Sequence, residues 1–278
     1  MYGSGIVRLF RGAPVHPVGA DGRMALSDHF REFRARLLKI ALIWLVGFGL
    51  SLVFHEQLLD VVFGPYLDAQ AALPKGTTEP VIQGAGQPLM VYLQLSALAT
   101  TVLTAPLWLY QLWAFVLPGL HRHEKKWTAI FVTVAGPLFL AGVALGYYTL
   151  PKGLEILIGF TPDNFTNLVD FNHYLTFFTR TLLMFGIAFE IPVFVVLLNL
   201  AGVVKGATLA AYRHWIIIFV FVFAAIATPS TDPFTMTAMA IPMCLLFFVS
   251  EGVARVHDRR KVAADPFAGL SPDEASPI

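Results

Sequence analysis

Six apolar stretches, at about residues 38–55, 89–117, 127–150, 174–200, 213–228 and 233–250, decide what this 278-residue chain can fold into. A helix rises about 1.5 Å per residue, so about 20 apolar residues cross the hydrocarbon layer of a bilayer. The second, third and fourth stretches are ample, and the second is long enough to tilt, with Pro106 as a place to kink. The fifth and sixth sit at the lower limit, with only TPSTD between them. Helices that short either cross a thinned bilayer or have their ends shielded by longer neighbours. A re-entrant hairpin is the competing arrangement. Charged residues make up only 13% of the chain against 56% hydrophobic, about half the charge of an ordinary soluble domain. The expected fold class is an all-α membrane protein with six transmembrane helices.

An even number of spans puts both termini on one side. All of the 19 lysines and arginines except Lys75, Lys152 and Arg180 then fall on that side. Positive charge is retained in the cytoplasm, so both termini are expected there. The segments at about 56–88 and 151–173 become long outer loops, and they contain apolar stretches such as LEILIGF. These first two extracytoplasmic loops are expected to build a cap on the outer face. Residues 1–23 are rich in Gly and Pro and lack the apolar core of a signal peptide, which predicts a disordered extension. Met24, rather than Met1, is a candidate natural start. The membrane domain is expected over 24–255, and a polar cytoplasmic tail over 256–278.

The signatures of catalysis and of soluble ligands are missing. Cys244 is the single cysteine, so no disulfide framework and no cysteine-based metal site can form within one chain. No HExxH, no GxxxxGK[ST] and no GxSxG occurs. We therefore expect no enzyme activity, no catalytic residue, no metal and no cofactor. No lysine- and arginine-rich face points to nucleic acid.

Of the 18 acids, only Glu190, within MFGIAFEIPVFVVLL, lies deep in an expected span. An ionisable residue at that depth marks a functional site by default. Arg180 lies ten residues earlier, about 15 Å along the helix, too far for a direct pair. Glu190 must then face other helices, a wet cavity or a second protein, the plain alternative being a hydrogen-bonded structural acid inside the bundle. On the cytoplasmic side, HRHEKK places Glu124 among bases. In SDHFREFRARLL, Ser27 or Asp28 can cap a helix, and Glu32 and Arg36 have the i, i+4 spacing of a surface ion pair. The plain alternative for both stretches is a solvated or interfacial charge cluster. Asp232 lies in the tight turn before the last stretch.

Taken in order, HFREFRARL (29–37), APLWLYQLWAFVLPGLHRHE (105–124), AFEIPV (188–193), TPSTDPF (228–234) and AIPM (240–243) resemble the TatC family, the six-span receptors of twin-arginine protein translocation. The resemblance covers about residues 24–255; TPSTD is one residue longer than the TPPD turn of some members. It implies recognition of signal peptides bearing two adjacent arginines, and export of folded proteins across the bacterial cytoplasmic membrane using the proton-motive force. Glu124 and Glu32 would accept the guanidinium groups, since bidentate guanidinium–carboxylate contacts suit that task. Phe115 would pack beside the peptide, while Arg34 and His29 would shape the amino-terminal helix against the first cytoplasmic loop. Pro65 would belong to the outer cap and Asp232 to the last turn. Glu190 would offer an intramembrane polar contact to single-span partners of the TatA and TatB type. Self-association and contact with membrane lipids are also expected. On residue chemistry alone, an ion-coupled small-solute secondary transporter explains Glu190 and the proline-bearing spans equally well. It calls for a second intramembrane polar partner and an internal repeat, and the sequence displays neither.

Overall fold

The computed structural model describes residues 26–116, 125–200, 202–228 and 232–263. The expected extension at 1–23, Met24, and the tail beyond Ala263 lie outside the described residues. The elements run α1 (Leu26–Val53), α2 (His55–Ala72), β1 (Thr78–Val81), α3 (Gln87–Leu103), α4 (Ala105–Val116), α5 (Lys125–Gly159), β2 (Asn167–Asp170), α6 (Phe171–Leu200), α7 (Gly206–Ala211), α8 (Arg213–Ala227) and α9 (Pro233–Ala263).

Four stretches of helix among the described residues are long and apolar enough to cross a membrane: Ser27–Val53, Thr133–Gly159, Phe171–Leu200 and Pro233–Lys261. The second expected span is not one helix. It breaks at Thr104 into α3 and α4, which meet at a 58° bend and can serve together as a fifth crossing. Pro106 lacks the N–H that would continue the α3 ladder. Just before the break, the indole of Trp108 donates to the Thr101 carbonyl at 2.9 Å. α8 has only 15 residues, about 22 Å of rise, less than the thickness of the hydrocarbon core. α9 continues past residue 255, where the polar tail was expected to begin, to Ala263.

α5 and α6 form the central crossing, at van der Waals distance. A Cβ on Gly142 would sit 2.5 Å from the Phe185 carbonyl oxygen, and one on Gly186 would sit 2.7 Å from the Phe139 ring. Two glycines let two phenylalanines interlock, the usual way of bringing helices close where lipid supplies no hydrophobic drive. Phe139, Phe178 and Leu175 are almost completely buried around this contact.

The two long loops are joined to each other. β1 from the first pairs in parallel with β2 from the second, Thr78 opposite Asn167 and Val81 opposite Asp170. An expectation of helices alone missed this pair, because four-residue strands carry too little periodicity to read. α2 lies against α5 and α3. Pro65 interrupts its ladder and leaves the Val61 carbonyl without its usual donor. Tyr147 of α5 donates its hydroxyl to that carbonyl at 3.0 Å, and Tyr174 of α6 donates to the Val62 carbonyl at 2.6 Å. Tyr66 and Thr78 share a buried hydroxyl hydrogen bond of 2.9 Å that ties α2 to β1.

Asp170 ends β2 and starts α6. Its Oδ1 accepts the N–H groups of Asn172 and His173, both at 3.0 Å, and its Oδ2 accepts from Gln87 at 3.1 Å. The His173 N–H, foremost among these donors, holds the carboxyl below the usual carboxylate range. A carboxyl held low in the folded state stabilises it above the ordinary pKa and ceases to do so as pH falls through the lowered one. Asp170→Ala should therefore lower Tm by about 2–4 °C at neutral pH. The difference from wild type should shrink in acid, below the ordinary carboxylate range. Thermal unfolding followed at both pH values checks this; an equal deficit at both would contradict it.

Candidate functional site

The start of α1 and the end of α4 meet through aromatic rings. His29 and Phe33 are four residues apart and share one face of α1. His29 stacks on Phe115 with ring centres 4.6 Å apart, and Phe33 approaches the same ring at 5.4 Å. Three of the residues expected at a peptide site, Glu32, His29 and Phe115, are thus on adjoining turns or in contact. Phe33 was not singled out by sequence, although its spacing from His29 was visible. Arg34 is exposed and makes no ion pair among the described residues. Glu124 and the loop carrying it lie outside the described residues, as does the turn before Asp232.

The acids of α1 are each held by a basic neighbour. Asp28 Oδ1 receives Arg31 Nη2 at 2.8 Å. Glu32 receives Arg36 through Nε at 3.0 Å and Nη2 at 2.6 Å, as the i, i+4 spacing suggested. Both donors fall on Oε1, and among the described residues nothing donates to Oε2. Ser27 and Asp28 both lie within α1, whose described part begins at Leu26.

Glu190 faces α4. Trp113 Nε1 donates to its Oε2 at 3.2 Å, while Oε1 is buried with no hydrogen-bond partner among the described residues. A buried indole N–H seeks an acceptor, which is the signal that could have found Trp113 in the sequence. A buried acceptor left open costs about 1–3 kcal/mol. Glu190 is therefore satisfied through one oxygen, while the other lies buried without a donor among the described residues.

Asp232 receives the Thr235 backbone N–H on Oδ1 at 2.7 Å and the Thr235 hydroxyl on Oδ2. With Pro233 at the first position of α9, it closes that helix's amino terminus. Glu251 was not singled out by sequence. It is buried within α9, 3% exposed, and binds two arginines: Arg213 through Nη2 at 2.7 Å and Nε at 3.1 Å, and Arg255 through Nη2 at 2.6 Å. Asp258 accepts the Gly206 N–H at 2.6 Å and Asn199 Nδ2 at 3.0 Å, fixing the segment between α6 and α8 onto α9. An apolar hollow of about 390 Å³ opens among α2, α3, α5 and α6, lined by Leu58, Val62, Leu95, Val143, Phe178 and Leu182. No group of three His, Cys, Asp or Glu side chains among the described residues could hold a metal ion.

Comparison with known proteins agrees on one lineage. The family model described as Sec-independent protein translocase protein (TatC) matches residues 28–242. The Sec-independent protein translocase protein TatC of Frankia casuarinae is 39% identical over 268 residues, covering 93% of this chain and 74% of that one. Its counterpart in Xylanimonas cellulosilytica is 40% identical over 242 residues, 87% of each chain. A crystal structure of the twin arginine translocase receptor TatC in DDM superposes with a TM-score of 0.68 at 30% identity, covering 81% of this chain and 99% of that one.

Replacing Trp113 by Phe should destabilise the purified protein by about 1–3 kcal/mol, because both Glu190 oxygens then lack a donor. Adding Glu190→Leu to that variant should recover most of the loss. Denaturation in detergent measures both, and a W113F protein as stable as wild type would show that the indole contact carries no weight.

Proposed function

The chain belongs to the TatC family of Sec-independent protein translocases, and we propose that it is the twin-arginine signal-peptide receptor and core subunit of its translocase. It exports folded proteins across the cytoplasmic membrane, drawing on the proton-motive force, with TatA- and TatB-type single-span partners. One observation of the site carries this reading. Glu32 sits beside the His29–Phe115 stack with one carboxylate oxygen open, where a guanidinium can bind. Glu124 follows Phe115 by nine residues in the chain and supplies a second acceptor for the second arginine. Exposed Phe33 and half-buried Phe115 offer apolar and π surface beside the charges.

In this reading the chain crosses the membrane six times. The bent α3–α4 pair makes one crossing, and α8 makes another where the bilayer thins around it. Both termini lie in the cytoplasm, which gathers the basic residues on that side. The α2 helix, with its Pro65 kink, and the β1–β2 pair then cover the outer face. The apolar hollow among α2, α3, α5 and α6 suits the apolar segment of a signal peptide. Glu190 offers an intramembrane polar contact to a single-span partner, worth about 0.6–2 kcal/mol, enough to bias docking without making it permanent. The most apolar window of α1 is only 6% buried within the chain, which leaves a long face for lipid or a second copy.

Binding of a twin-arginine signal peptide to the purified protein tests the receptor reading. Wild type should prefer it to a twin-lysine peptide, and Glu124→Gln should weaken the twin-arginine complex about 10- to 100-fold. Equal binding of the two peptides would defeat the reading. Glu190→Ala should reduce in-membrane crosslinking to a TatA- or TatB-type helix; unchanged crosslinking and transport would remove Glu190 from partner contact.

A further inference from the structure

We propose that Arg36 is a positioning residue for the peptide site: it grips one oxygen of Glu32 and so aims the other at the incoming guanidinium. The inference rests on the receptor reading above and deepens it. A guanidinium meeting a carboxylate in its usual fork would use both oxygens. Arg36 does not; Nε and Nη2 both fall on Oε1, at 3.0 and 2.6 Å. Oε2 is left without a donor among the described residues. The pair is no loose surface contact, since the side chains of Arg36 and Glu32 are only 20% and 19% exposed.

A free glutamate on a helix surface samples many rotamers, and binding must freeze them. With Oε1 already held, that ordering is complete before the peptide arrives. The same chain displays the arrangement that binding would produce. Glu251 accepts Arg255 and Arg213 together, with Arg255 Nη2 on Oε1 at 2.6 Å and Arg213 Nη2 and Nε spanning Oε1 and Oε2 at 2.7 and 3.1 Å. One carboxylate can thus serve two guanidinium groups in this fold. Glu32 holds one and has room for a second. If Arg36 instead acted as a stand-in for the peptide arginine, it would occupy the oxygen the peptide needs, and its removal would tighten binding.

The test measures binding of a synthetic twin-arginine signal peptide, and of its twin-lysine version, to the full chain in detergent. The proteins are wild type, Arg36→Gln, Arg36→Lys, Glu32→Gln and the Glu32→Gln/Arg36→Gln double variant. Arg36→Gln should weaken twin-arginine binding about threefold to tenfold and leave twin-lysine binding unchanged. Arg36→Lys should recover part of the loss, because an ammonium can hold Oε1 through one contact. In the Glu32→Gln background, Arg36→Gln should have no further effect, which separates action through Glu32 from a general role in the helix. Should Arg36→Gln melt early, Arg36→Lys carries the test, with a smaller loss that likewise vanishes in the Glu32→Gln background. Tighter binding by Arg36→Gln, unchanged binding, or a full loss persisting without Glu32 would each overturn the proposal. A wild type indifferent to arginine or lysine is a different failure: it defeats the receptor reading itself, whatever Arg36 does.

Discussion

Inside hydrocarbon, every main-chain N–H and C=O must find its partner within the protein, and this requirement shapes the whole frame. Prolines interrupt α2, α5, α6 and α9 at positions 65, 137 and 151, 192, and 242. Where such breaks expose carbonyl oxygens, side chains of other helices reach them. Tyr147 and Tyr174 serve Val61 and Val62 beside Pro65. Each such bond ties a bent helix to a neighbour. The bends become joints that are fixed rather than loose, and the frame can hold charged groups at set places.

Two of those places carry the proposed function. The first, at the start of α1 and the end of α4, presents Glu32 beside an aromatic stack. The second lies at Glu190, where α6 faces Trp113 of α4. α4 contributes to both, with Phe115 at one and Trp113 at the other, two residues apart. The break at Thr104 sets the direction of α4 independently of α3. A single short helix therefore touches the proposed peptide site and the proposed partner site, a compact route by which occupation of one can be felt at the other.

Much of the helical frame was legible in the sequence, because long apolar runs act over whole segments. Glu190 stood out as the lone acid in such a run, and the Glu32–Arg36 pair followed from spacing. Other features depend on contacts between segments, which spacing does not carry. The α3–α4 break was readable only as a kink at Pro106, since its size depends on Gly136 allowing α5 against that proline. The parallel β1–β2 pair joins strands about 90 residues apart in the chain. α9 extends past the apolar run because Glu251 and Asp258 find partners on α8, on α6 and in the segment between them. Trp113 looked like one more apolar residue until α6 was placed beside it.

The most direct measurement is transport itself. Membrane vesicles containing this chain as their only TatC-type subunit, with TatA- and TatB-type partners, would be offered a folded reporter protein bearing a twin-arginine signal peptide. The expected result is a protease-protected folded reporter that appears only with a proton-motive force and is lost when the two arginines become lysines. Uptake indifferent to that change, or no uptake while the vesicles accumulate a small solute with protons, would contradict the central claim.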